Sequence, residues 1–180
     1  MATDEQIREL VEKMHEERAR LFASLSGISD ERASQANPEK DGEDGWSVKE
    51  ILAHLAMMDG LYRGWAHRAA TEDRPDLRTP DPNRPPAEGH YLDGVNDRSV
   101  LSLIQEMERQ RAITMEFIAS LKPEEFDRTA ITALFGELSA IQLLRSYYRH
   151  DRQHAAQIEG RESEYKPRFT SGVEPDQRRK

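Results

Sequence analysis

The sequence predicts an all-α protein, a bundle of four long helices joined by long connections. Three observations carry this. Four segments place apolar residues at helical spacing. Two of them open on a capping box next to a hydrophobic staple. The stretches between them are rich in proline, glycine and polar residues, with no apolar period. Four amphipathic helices of similar length bury their stripes best against one another.

The first helix is expected from about Asp4 to Leu25, with Thr3 or Asp4 as its cap and Ile7, Leu10, Val11, Met14, Leu21, Phe22 and Leu25 as its stripe. Gly27 and the polar run Ser29 to Gly45 form a loop. The second helix begins at Ser47-x-x-Glu50, with Trp46 and Ile51 as the staple pair, and runs to about Ala70. Its apolar face is Ile51, Leu55, Met58, Leu61, Tyr62 and Trp65, with His54 among them. Thr71 to Val95 holds five prolines and reads as a long crossover loop. The third helix is expected to start near Asn96 or Asp97 and to bury Val100, Leu103, Ile104, Met107, Thr114, Ile118 and Leu121. Pro123 to Phe126 makes a single turn, and Thr129 to Leu134 a short extended piece. The fourth helix starts at Ser139-x-x-Gln142 and ends near Glu159, with Gly160 placed to close it. Residues 1–160 thus form one domain, and the charged stretch 161–180 a loosely held tail.

Composition excludes several classes. A net charge of -8 repels phosphate backbones, so nucleic acid is not the expected partner. No run approaches the ~18 apolar residues of a membrane span, and the acidic start is no signal peptide. A cytoplasmic protein is expected. The chain has no cysteine. Any metal must therefore be held by His, Asp, Glu or water.

The fourth helix carries His150-x-x-x-His154. Residues four apart stack on one helix face, so both imidazoles point the same way and can chelate a divalent ion. They need a third donor. His54 supplies it if the second and fourth helices pack side by side. Three neutral imidazoles leave positions open to water or substrate, the layout of a catalytic site. Zinc, nickel, cobalt or iron tolerates such a set, with zinc and nickel foremost.

Two stretches resemble a known family. Gly45-Trp46-Ser47-Val48-Lys49-Glu50-Ile51-Leu52-Ala53-His54-Leu55 is similar to the second-helix signature of the DinB-like (damage-inducible) metal-binding four-helix bundles. His150-Asp151-Arg152-Gln153-His154-Ala155-Ala156-Gln157-Ile158 is similar to their fourth-helix signature. The resemblance spans about Asp4 to Gly160. It implies a bundle of unusual connectivity with a metal on His54, His150 and His154. It also implies kinship with bacillithiol- or mycothiol-dependent transferases and with metal-dependent hydrolases, and it is compatible with a homodimer. The resemblance does not extend to the loop from Thr71 to Val95.

Other residues invite two readings each. Tyr147, beside the histidine line, either donates a hydrogen bond to an oxygen held at the site or packs with a wet hydroxyl; packing is the preferred reading. Gln157 shares that side and could support a ligand from behind. Arg18 and Arg111 each interrupt an apolar stripe. They either recognise an anionic substrate, or form a salt bridge or snorkel at the bundle end, and the second reading is preferred. His15, His67 and His90 fall off the inferred site. The function expected is that of a metal-dependent thiol S-transferase or hydrolase acting on a small molecule, with a low-molecular-weight thiol as a cosubstrate in the first case. The alternative is a non-catalytic bundle that binds or sequesters a small molecule, with a structural or vacant metal site.

Overall fold

The computed structural model describes residues 1–40, 42–78, 89–165 and 168–170. Its four long helices are α1 (Asp4–Ser24), α3 (Val48–Thr71), α4 (Val100–Ser120) and α5 (Ala140–Ile158), with a single turn, α2 (Asp30–Ala33), after the first. This is the four-helix architecture expected. The part of the expected crossover loop at 79–88, and the tail at 166–167 and 171–180, lie outside the described residues.

Local chemistry explains most helix starts. Thr3 caps α1 through a capping box with Gln6. Ser47 with Glu50, and Ser139 with Gln142, do the same for α3 and α5. Each box satisfies two of the amide donors that a helix start leaves unpaired. Gly160 follows α5 with a φ of 69°, the left-handed conformation that ends a helix cheaply at glycine.

The expected start of α4 is corrected. The cap is Ser99, whose Oγ accepts from the Ser102 amide at 3.1 Å. Val95–Asp97 is instead a turn of 3-10 helix. Asn96 is engaged elsewhere: its Oδ1 accepts from Ser47 Oγ at 3.1 Å and its carbonyl from Lys49 Nζ at 3.0 Å. Tertiary partners thus outcompete the local cap. Two further turns interrupt the expected loop Ser29 to Gly45: α2, capped by Ser29, and a 3-10 turn at Gly42–Gly45.

The expected extended piece is one arm of a hairpin. Strand β1 (Thr129–Thr132) pairs antiparallel with β2 (Gly136–Ser139), in a register that sets Thr129 opposite Ser139 and Thr132 opposite Gly136. The chain at 75–77 runs along its other edge, with Leu77 N donating to Ile131 O at 2.7 Å. Thr170 N donates to Leu134 O at 2.7 Å, and Phe169 stacks on Phe135.

In the bundle, α5 packs on α1 and α3, and α3 also on α4. The core falls into two apolar halves. One is built around Leu10, Met14, Met58, Tyr62, Ile118, Phe126, Leu143 and Tyr147. The other is built around Leu21, Trp46, Ile51, Leu55, Leu103 and Met107. Each fully buried aliphatic side chain contributes about 1.5–3 kcal/mol. Between the halves lies a charged layer with one residue from every long helix: Arg18, Asp59, Arg111 and Asp151. No helix among the described residues is long and apolar enough to cross a membrane.

Candidate metal centre

Three histidines converge between α3 and α5. His150 Nε2 lies 3.1 Å from His54 Nε2 and 3.0 Å from His154 Nε2. His54 and His154 are fully buried, whereas His150 keeps partial exposure and marks the open side. The i, i+4 spacing on α5 stacks one pair, and the apolar face of α3 carries His54 toward it.

The proton positions can be deduced at His154. The Gln157 amide donates from Nε2 to the Glu43 backbone carbonyl at 2.5 Å, which turns its Oε1 to His154 Nδ1 at 2.6 Å. Nδ1 therefore carries the proton and Nε2 presents its lone pair. On His54, Nδ1 faces Tyr91 Oη at 3.3 Å. The Trp46 ring meets the His54 ring edge-on at 4.8 Å. His150 Nδ1 is buried with no hydrogen-bond partner among the described residues.

Burial keeps all three rings neutral. It is the main cause of a pKa well below the ordinary value at His54 and His150, with the neighbouring histidines adding to it. It lowers His154 to about 4, against the opposing hydrogen bond that Nδ1 donates to Gln157. Neutral imidazole is the form that binds metal.

The donor set fits a divalent ion. His154 Nε2 has no proton, and His150 Nε2–H, if present, can serve only one of its two nitrogen neighbours. At least one N···N contact is then left without a hydrogen bond unless a cation lies between the rings. Metal–nitrogen bonds of about 2.0–2.1 Å place two imidazole nitrogens about 2.9 Å apart at a right angle and about 3.3 Å apart at the tetrahedral angle. The observed 3.0 and 3.1 Å are close to these edges.

A carboxylate lies beside them. The buried Glu43 carboxylate reaches within 3.8 Å of His54 Nε2 through Oε1 and of His154 Nε2 through Oε2. One ligand atom from each of Glu43, His54, His150 and His154 can be chosen so that all four lie within 4.8 Å of one another. Sequence reasoning missed Glu43. It sits in a polar loop with Glu39, Asp41 and Asp44 for neighbours, and no periodicity singles it out. The available signal is its place three residues before Trp46, whose ring rests on His54.

The other candidates sit around this centre. Arg18 Nε and Nη2 donate to Asp151 Oδ2 and Oδ1 at 2.9 and 3.1 Å, and Nη2 also reaches Asp59 Oδ2 at 2.9 Å. Arg111 Nη2 donates to Asp151 Oδ2 at 2.9 Å. The two arginines also stitch α1 to α4 through backbone carbonyls. Arg111 reaches Met14 O at 2.6 Å, and Arg18 reaches Met107 O at 3.4 Å. The salt-bridge reading thus describes what both guanidinium groups do here. Burial alone would raise the Asp151 carboxyl, yet Arg18 and Arg111 hold it below its ordinary value; at Asp59 burial prevails and pushes it up. Asp59 and Asp151 escaped the sequence reading. Two arginines in apolar stripes demand buried acids, and these two follow Leu55 and Tyr147 by one helical turn.

Tyr147 is buried, and its hydroxyl donates to the Asp59 carbonyl and lies 3.2 Å from Thr114 Oγ1. It belongs to the layer beneath the histidines. Gln157 stands behind His154, as its position on the helix suggested. His90 stacks on Tyr91 at 4.6 Å, and His67 lies against Phe117.

Fold and sequence now define the family. The chain belongs to the DinB superfamily, which it matches over residues 5–158. It is 26% identical over 152 residues to the uncharacterized protein YuaE of Bacillus subtilis (strain 168), covering 80% of this chain and 91% of that protein. Among solved structures it is similar to YfiT from Bacillus subtilis, described as a "probable metal-dependent hydrolase with an unusual four-helix bundle topology". That match has a TM-score of 0.69 at 16% identity and covers 89% of this chain and 87% of that one. It is also similar to a mutant of the mycothiol-dependent maleylpyruvate isomerase, with a TM-score of 0.63 at 16% identity, over 84% of this chain and 60% of that one.

Proposed function

We propose that this protein is a metal-dependent enzyme acting on a small molecule, a thiol S-transferase or a hydrolase, with a divalent ion on His54, His150 and His154. The observation that carries the reading is the convergence of three Nε2 atoms on neutral rings. Its support also includes the fold shared with proteins described as a metal-dependent hydrolase and a mycothiol-dependent isomerase.

A divalent ion there would lower the pKa of a water or thiol brought to it, generating a nucleophile at neutral pH. The chain's own residues prepare the place. Gln157 fixes the tautomer and orientation of His154. Tyr91 and Trp46 hold the His54 ring from two sides. The layer of Arg18, Asp59, Arg111 and Asp151 supports α5 next to His150. With no cysteine in the chain, any thiol must be a cosubstrate.

The test is a screen of the protein, reconstituted with zinc or nickel, against small electrophiles with and without a low-molecular-weight thiol, and against small amides and esters. Saturable turnover that disappears on His150→Ala supports an enzyme, and dependence on the thiol selects the transferase. Tight ligand binding without turnover would favour a sequestering bundle.

A further inference from the structure

We infer that Glu43 is a fourth protein donor to the ion, so that the centre is a three-histidine, one-carboxylate site. The inference rests on the three-histidine reading above and deepens it.

The geometry comes first. The two carboxylate oxygens address different histidines, each 3.8 Å from its nitrogen, so the carboxylate straddles the gap between His54 and His154. Glu43 is 7% exposed despite lying in a loop. Acidic side chains in loops ordinarily stay in water, and one carried this deep is paired, hydrogen-bonded or coordinates a metal.

The loop is also built to deliver it. Asn37 N donates to Gly45 O at 2.9 Å, and Trp46 N donates to Glu43 O at 3.1 Å. A Cβ on Gly45 would fall 2.5 Å from Lys40 O and 3.0 Å from Asn37 O, so only glycine lets the strands of this loop close. Gln157 then ties the loop to the centre, since the same amide donates to the Glu43 carbonyl and accepts from His154 Nδ1. The residue that orients one ligand therefore also positions the backbone of the other.

The chemistry follows. Three imidazoles leave a dication with its full charge, and one carboxylate reduces the site to a single positive charge. A nitrogen and oxygen donor set disfavours soft, thiophilic ions and suits nickel, cobalt, iron or zinc. The remaining positive charge draws an anionic oxygen or a thiolate to the open side at His150.

The test titrates metal-free wild type, E43Q and H150A with Co²⁺, followed by visible absorption and by X-ray absorption at the cobalt edge; circular dichroism shows whether each variant is folded. If Glu43 is a donor, E43Q loses the carboxylate bound to cobalt, shifts the d–d bands and binds Co²⁺ at least about 100-fold more weakly, at or beyond the top of the 10–100-fold cost of losing a residue that only orients a ligand. An unchanged spectrum in E43Q, with or without weaker binding, overturns the inference and leaves the three histidines standing. Failure of the folded wild type to bind Co²⁺ overturns the three-histidine reading and this one with it. Should E43Q not fold, the cobalt edge of the wild type decides: a carboxylate shell supports the inference, and histidine with water alone refutes it.

Discussion

Replacing Asp151 by Asn removes one charge from a buried layer in which two arginines face two carboxylates. Asp151 is fully buried and accepts three of the layer's charged hydrogen bonds, two from Arg18 and one from Arg111. The change is nearly isosteric, so the cost is electrostatic. One guanidinium charge is left without its counter-charge, and breaking a buried pair in this way costs about 3–5 kcal/mol. For a chain of 180 residues, each kcal/mol lowers Tm by about 2–4 °C, so the variant should melt roughly 6–20 °C below the wild type. Calorimetry and urea unfolding, both on metal-free protein, measure this. The sign follows from the position of the layer between the two halves of the core, where every long helix contributes one member. A loss of less than about 3 °C would refute the structural role. If such a variant instead lost affinity for anionic ligands, the two arginines would belong to a substrate site.

Four further outcomes follow. Gln157→Leu should weaken metal binding by about 10–100-fold, read by competition with a chromophoric chelator, and should cost about 1–3 kcal/mol of stability because His154 Nδ1 and the Glu43 carbonyl lose their partner. Gly45→Ala forces the backbone at Lys40 and Asn37 to move and should cost about 1–3 kcal/mol in urea unfolding. Tyr147→Phe should cost about 1 kcal/mol while metal stoichiometry stays unchanged, because its hydroxyl serves Asp59 and Thr114 and not the histidines. The metal-free protein should also lose stability in acid. The folded pKa of His154 is depressed to about 4, so between an unfolded value of 6.5 and about 4 the unfolded chain binds the proton that the folded one refuses. The His154 contribution is complete above pH 6.5 and falls by about 3 kcal/mol through that window, and His54 and His150, also held below their ordinary value, add losses of the same sign. A His154→Leu variant should flatten this part of the profile.

The parts of the fold that were legible in the sequence are those set by neighbours in the chain. Ser47 with Glu50 and Ser139 with Gln142 close capping boxes within four residues, so α3 and α5 start where the pattern says. The start of α4 was less legible because Asn96, Asp97 and Ser99 all qualify as caps, and distant partners at Ser47 and Lys49 take Asn96 away. Strand β2 carries no apolar alternation of its own and exists through β1. In the centre, His150 and His154 announced themselves by spacing, and His54 by standing in an apolar face. Arg18 and Arg111 were visible as interruptions, but the acids opposite them lie 41 and 133 residues from Arg18 in the chain. Glu43 reaches the histidines only because Gly45 allows the loop to fold over, a constraint of space and not of pattern.

The proposed function requires that His54, His150 and His154 hold one divalent transition metal per chain. Elemental mass spectrometry on protein purified without an affinity tag, wild type beside His54→Ala, tests it most directly. About one ion per wild-type chain is expected, and none in the folded variant. A wild type that stays metal-free after reconstitution with zinc, nickel, cobalt and iron, or a His54→Ala variant that keeps its full complement, would contradict it.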